Sequence, residues 1–184
     1  MDLASLKDPR TKEAKKMKRE SRTIMVSLFF SICLSFVVAA SGFCEEYEAL
    51  KGLKSVKAVF DVRIGNPKSA ALSLKLIQDT CKDKNIIAVT KKPAFVVIFI
   101  GPSVKLISKK KEGFSPEEQK NLDEIAATIS EMSKDGIKLE ICLFAAKVFG
   151  VDPASVLPGI KPVPNGWVSL IGYETKGYSL VPAY

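Results

Sequence analysis

Between Gly136 and Val151 the chain reads GIKLEICLFAAKVFGV, and its character changes midway. Ile137 to Ile141 is a short β-run that ends on Cys142, and a helix-like segment, Phe144 to Phe149, begins almost at once. A strand that hands over to a helix in this way belongs to an open α/β sheet, whose ligands bind at the carboxyl ends of the strands. Cys142 stands at such an end. The free N–H groups of the following helix stabilise negative charge on a sulfur placed there. Cys142 is therefore the candidate catalytic residue, as a nucleophile. The competing reading is a buried, inert cysteine that packs as a small hydrophobe.

Upstream, Pro93 precedes Ala94 to Ile100, AFVVIFI, an unbroken apolar run suited to a central parallel strand buried on both faces. Gly101-Pro102-Ser103 ends it, and Val104 to Ser108 starts a short helix. The amides of that turn make Ser103 and Val104 candidate anion-binding residues. Lys57 to Ile64, KAVFDVRI, reads as the first strand, closed by Gly65-Asn66-Pro67. Asn66 can cap the next helix with Pro67 at its first position, and it joins Ser103 and Val104 as a candidate for anion or substrate binding. That helix runs to about Lys82, with Ala70, Leu74, Ile77 and Cys81 on one apolar stripe. Asn85 to Lys92 reads as an irregular crossover. Ser115 caps a second helix, with Pro116, Glu117 and Glu118 in its first turn, and Gly136 stops it after about Lys134.

Downstream come a helical turn at Ala154 to Leu157, an edge-like strand at Ile160 to Val163 carrying Pro162, a helix from Trp167 to Lys176, and a final strand at Tyr178 to Val181. Strands alternating with helices predict a three-layer α/β/α sandwich, with a mainly parallel sheet of about five strands and helices on both faces.

Composition narrows the function. The chain of 184 residues is 47% apolar and 26% charged, as a globular protein is. Its formal charge of +8 divides evenly, because residues 1–44 hold eight Lys/Arg against four Asp/Glu. The rest therefore carries a small excess, with no aromatic-interleaved basic stripe, and no nucleic-acid partner is expected. Lys109, Lys110 and Lys111 read as a solvated loop. There is no histidine, which removes Ser-His-Asp and Cys-His catalysis. The four cysteines, Cys33, Cys44, Cys81 and Cys142, show no zinc spacing, so no structural metal is expected, and single-cysteine thiol chemistry requires no cofactor.

Residues 1–44 read as a targeting segment. Basic residues precede the uncharged run IMVSLFFSICLSFVVAA, Ile24 to Ala40, and small residues and the acidic pair Glu45-Glu46 follow it. This is the pattern of a secretory signal peptide and predicts a periplasmic or secreted protein. Translation from Met17 would give a signal of more ordinary length. Two alternatives stay open: an uncleaved membrane anchor, and a lipoprotein acylated on Cys44. Residues 45–56 are a polar lead-in, possible as a helix, and 57–184 form the domain. In an oxidising compartment a Cys81–Cys142 disulfide is a further alternative.

Four segments resemble the DsrE/DsrF-like (YchN-like) family: KAVFDVRIGNPKSAALSLKLI, VVIFIGPSVKLI, GIKLEICLFAAKVFGV and LPGIKPVPNGWVSLIGYETKGYSLVPA, in the family's order from Lys57 to Ala183. The resemblance implies a three-layer domain that assembles into homo-oligomers, trimers or hexamers. It also implies sulfur carriage, since family members hold a persulfide on a cysteine in a segment of the form IKLEICLFA. That cysteine maps onto Cys142, and a sulfur donor or acceptor protein would be its partner. Lys147 could add positive charge nearby. Many relatives have a histidine before the Gly-Pro turn, where this chain has Ile100. The alternative function is a non-catalytic binding or structural module that keeps the fold.

Overall fold

The computed structural model describes residues 47–184. The apolar run at 24–40, the alternative start at Met17 and Cys44 lie outside the described residues. Five strands, β1 (Lys57–Val62), β2 (Ala94–Phe99), β3 (Lys138–Cys142), β4 (Ile160–Val163) and β5 (Ser179–Ala183), form one sheet in the order β4-β3-β2-β1-β5. Every ladder is parallel. Five α-helices connect them: α1 (Pro67–Cys81), α2 (Lys84–Val89), α3 (Pro116–Lys134), α4 (Leu143–Val148) and α5 (Gly166–Thr175). The expected α/β sandwich is the observed fold.

The strand order fixes the layers. From β1 to β4 each connection steps the same way across the sheet, so right-handed crossovers place α1, α3 and α4 on one face. The last connection returns from the β4 edge to the β5 edge, which sends α5 to the opposite face. The packing agrees, since α1 lies against α3 while α5 covers β1, β2 and β3. Strand β2 is central, with Phe95 through Phe99 all buried, which is why its sequence shows no polar alternation. Pro162 and Pro182 fall in the two edge strands, where a missing N–H disrupts the ladder least.

Local signals start the helices as their chemistry requires. Asn66 accepts a hydrogen bond from the Ser69 N–H at 3.0 Å and Pro67 opens α1. Ser115 and Glu118 form a reciprocal capping box at the start of α3. The apolar stripes of the two helices meet in the core, with Leu74, Ile77, Ile125 and Ile129 buried. Full burial of one such side chain contributes about 2 kcal/mol.

The structure departs from the sequence reading in a few places. The stretch read as an irregular crossover contains α2, held by Asp83, whose carboxylate accepts from the Asn85 N–H at 2.7 Å. None of its residues is buried, so no apolar periodicity announces it. The short helices after β2 and before β4 are 3-10 turns, Gly101–Ile107 and Pro153–Ser155, and the lead-in has another at Glu48–Leu50. The last strand starts one residue later and runs further than expected, because β5 pairs along β1 as far as Ala183. The Cys81–Cys142 disulfide is absent, since both are free thiols. The topology forbids the link: α1 runs back along the sheet, so Cys81 lies by the amino ends of the strands and Cys142 at their carboxyl ends. Among the described residues no helix is long and apolar enough to cross a membrane.

Candidate functional site

The connections leaving β1, β2 and β3 turn to the α1/α3 face, while the connection leaving β4 turns to the α5 face. Between the carboxyl ends of β3 and β4 the chain therefore parts, and such a switch point leaves a crevice at the sheet's edge. Cys142 ends β3 there, and Asn165 leads from β4 into α5. The Phe144 N–H, just beyond Cys142, donates to the Pro164 carbonyl at 3.2 Å and holds the two exits together.

A cleft of about 320 Å³ opens at this point. Its polar lining comes from Cys142, Asn165 and Arg63, and its apolar lining includes Phe144, Val148, Phe149 and Trp167. Cys142 is 3% exposed and caps α4, with its Sγ accepting from the Ala145 N–H at 3.4 Å. Packing around the thiol is close. A Cβ placed on Gly166 would come within 2.8 Å of the Ile100 side chain and 3.1 Å of the Cys142 Cβ. Glycine at the start of α5 is thus what lets that helix approach the sulfur.

Arg63, just past the end of β1, is the charged side chain among the lining residues. Its Nε donates to both oxygens of Asp61, at 3.0 and 2.9 Å, and an Nη2 lies 2.9 Å from Oδ2. Asp61 is 2% exposed, so the cation is anchored by a buried carboxylate. The guanidinium also stands 5.9 Å over the Trp167 ring and 5.8 Å over that of Tyr184. The hydrogen bond to Asp61 holds the Arg63 guanidinium above its ordinary value against the opposing effect of burial, and charge at Asp61, Tyr184 and Cys142 adds to it. Register aligns Val62 with Phe99 and Phe99 with Ile141, so one step further Arg63, Ile100 and Cys142 form a row across three strands. Two strand spacings, about 10 Å, separate the outer backbones. Ile100, where the resemblance leads one to look for histidine, is the apolar floor between them.

Among the residues singled out in the sequence, the cleft contains Cys142 but not Ser103, Val104 or Asn66. The Ser103 hydroxyl lies 2.7 Å from the Val62 carbonyl and 3.0 Å from that of Ile100, tying the turn after β2 to the end of β1. Val104 is fully buried and Asn66 is occupied as the cap of α1. Gly101, by contrast, does line the cleft and turns the chain at φ +64°. Lys147 is exposed on α4 and outside the lining, and Lys105 stands 5.9 Å over the Phe149 ring. Sequence reading missed Arg63, Asp61 and Trp167. The available signal was an aspartate and an arginine two apart in a run, Ala58 to Ile64, that is otherwise apolar.

A parallel α/β sandwich with a thiol at its switch point is the class of protein these features define. Residues 57–182 match the sequence model of the DsrE/DsrF-like family, and the chain belongs to that family. It is 26% identical over 167 residues to an uncharacterized protein of Aquifex aeolicus (strain VF5); the match covers 89% of this chain and spans 66% of that relative's length. In fold it is similar to the protein of unknown function MTH1491 from Methanobacterium thermoautotrophicum, with a TM-score of 0.54 and 15% identity, over 70% of this chain and 99% of that one. The ychN protein from E. coli aligns over the same shares at 14% identity with a TM-score of 0.46.

Proposed function

We propose that this protein is a thiol carrier of sulfane sulfur that works through Cys142, is exported, and assembles as a homo-oligomer. The observation that carries the reading is the setting of the sulfur: a cysteine at a strand's carboxyl end, lining an apolar cleft, with a backbone N–H on its Sγ and an anchored arginine in the same cleft. Water-poor surroundings protect a persulfide from side reactions, and the N–H and the cation offset negative charge on the terminal sulfur. Export rests on the apolar run Ile24 to Ala40 behind its basic segment. Assembly is supported by the exposed apolar side chains around the cleft mouth and on α5.

The test is intact mass before and after incubation with polysulfide, with alkylation to count free thiols. The expected result is an adduct of one sulfur atom that maps to Cys142, is removed by reductant, and is lost in Cys142→Ser. A Cys142→Ser protein that still gains the reducible sulfur would sink the proposal. The 3% exposure of Cys142 favours a second reading, a binding module in which this thiol is packing. That reading requires Cys142 to resist alkylation in the folded protein.

A further inference from the structure

Arg63 is a poor choice of residue for packing alone. A cation in an apolar cleft has to be neutralised, and Asp61 does so on one edge only. Of the five N–H groups of a guanidinium, the Nε–H and one on Nη2 face Asp61. Those of Nη1 have no hydrogen-bond partner among the described residues. The side chain is nonetheless held in place, by a carboxylate 2% exposed and by the faces of Trp167 and Tyr184. It is 35% exposed, and it lines the same cleft as the Cys142 sulfur. An immobilised guanidinium with an unused edge suits a planar anion, which it meets with paired hydrogen bonds. Phe144, Val148 and Phe149 complete the cleft with apolar surface and no competing anion.

Resting on the reading of Cys142 as a sulfur carrier, we propose that its donor is an anionic small molecule, an organic persulfide bearing a carboxylate or sulfonate group. Arg63 binds the anionic group, the apolar side chains hold the carbon body, and the persulfide reaches Cys142. The step balances without any added oxidant. The Cys142 thiolate attacks the outer sulfur of R–S–SH and a sulfur–sulfur bond forms to Cys142. The donor's own sulfur–sulfur bond breaks, the electron pair leaves on the R–S⁻ thiolate, and the proton stays on the transferred sulfur as Cys142–S–SH. Arg63 acts on the donor's charge and takes no part in the bond change.

Two readouts test this separately from sulfur carriage. Trp167 is the single tryptophan of the chain and is stacked on Arg63, so its fluorescence reports occupancy of the subsite whatever Cys142 does. Phenylacetate is expected to change that emission saturably, and phenylacetamide, its neutral counterpart, to leave it unchanged. The second readout is the ratio of Cys142 alkylation rates with iodoacetate and iodoacetamide, in which the thiolate fraction cancels. Replacing Arg63 alone would strand the buried Asp61 charge, so the variant is Asp61→Asn with Arg63→Gln, checked for folding by circular dichroism. The ratio is expected to fall about fivefold, and Arg63→Lys, which keeps the charge but not the planar fork, to retain only part of it. Equal responses to phenylacetate and phenylacetamide, or a ratio indifferent to Arg63, overturns the proposal. A Cys142 inert to both reagents beside a Trp167 that still distinguishes phenylacetate would overturn the carrier reading and leave the anion subsite standing.

Discussion

Glu140 carries a carboxyl group into the layer beneath α5, where Tyr173 reaches it with a hydrogen bond of 2.8 Å. The other oxygen of Glu140 is buried without a partner among the described residues. A buried polar group deprived of its last partner costs more than the bond itself contributes. Tyr173→Phe is therefore expected to destabilise the fold by about 2 kcal/mol in urea unfolding. Changing both residues together, Glu140→Leu with Tyr173→Phe, should recover most of that loss; a double variant weaker than the single one would mean the pair serves another purpose. The pair also sets an alkaline limit. Burial first, and the bond to Glu140 second, push the Tyr173 phenol above its ordinary value. The native state then keeps a proton that the unfolded chain releases. This stabilisation is complete below the ordinary tyrosine value of about 10 and is lost as pH rises through the folded one. Above about pH 10 the stability of Tyr173→Phe should fall less steeply with pH than that of the parent.

Elements α1 and α3 are clamped at their carboxyl ends by a similar device. Gln78, 1% exposed, donates from its Nε2 to Glu131 and Asp135, both at 3.1 Å, and the Lys82 Nζ lies 2.7 Å from Asp135. Lys82 first, then Gln78, hold the Asp135 carboxyl below its usual value. Here the sign is reversed. The clamp contributes fully above the ordinary carboxylate value of about 4 and is lost as pH falls through the depressed one. Because the Lys82 side chain is 53% exposed, screening keeps the effect small. Asp135→Asn should lower the urea midpoint more at neutral pH than at acid pH, the difference shrinking as pH falls through the depressed value of the native carboxyl. An equal drop at both pH values would place the contribution in packing. The helices themselves were legible because their signals are local: Asn66-Pro67 and Ser115-Pro116 mark the starts, and the i, i+3, i+4 stripes mark the buried faces. Helix α2 was not, because it buries nothing and so imposes no period on its sequence.

At the scale of the molecule, the same distinction between local and distant information divides the site. Cys142 was readable because strand, cap and helix follow one another in the chain. Arg63, Ile100 and Cys142 meet only through the registers of three strands, and Trp167 joins them only because the last crossover changes face. That change of face has a second consequence. A single helix, α5, covers the centre of one side of the sheet, and it is apolar outward as well as inward. Val168 and Ile171, three residues apart, are 65% and 64% exposed, while Gly166 and Leu170 are buried. Phe144 and Val148, four apart on α4, are comparably exposed beside the cleft mouth. A stable monomer gains nothing from such an arrangement; a subunit interface would remove it from water. In the proposed homo-oligomer α5 is the contact, and Val168→Lys with Ile171→Lys should weaken it. Loss of two buried aliphatic side chains corresponds to about 3 kcal/mol, more than a hundredfold in dissociation constant. Sedimentation velocity should then show monomers where the parent sediments as an assembly, with secondary structure unchanged by circular dichroism. If the parent itself sediments as a monomer over the accessible concentrations, homo-oligomeric assembly is ruled out, and the apolar face of α5 must be covered by something other than a second copy of the chain.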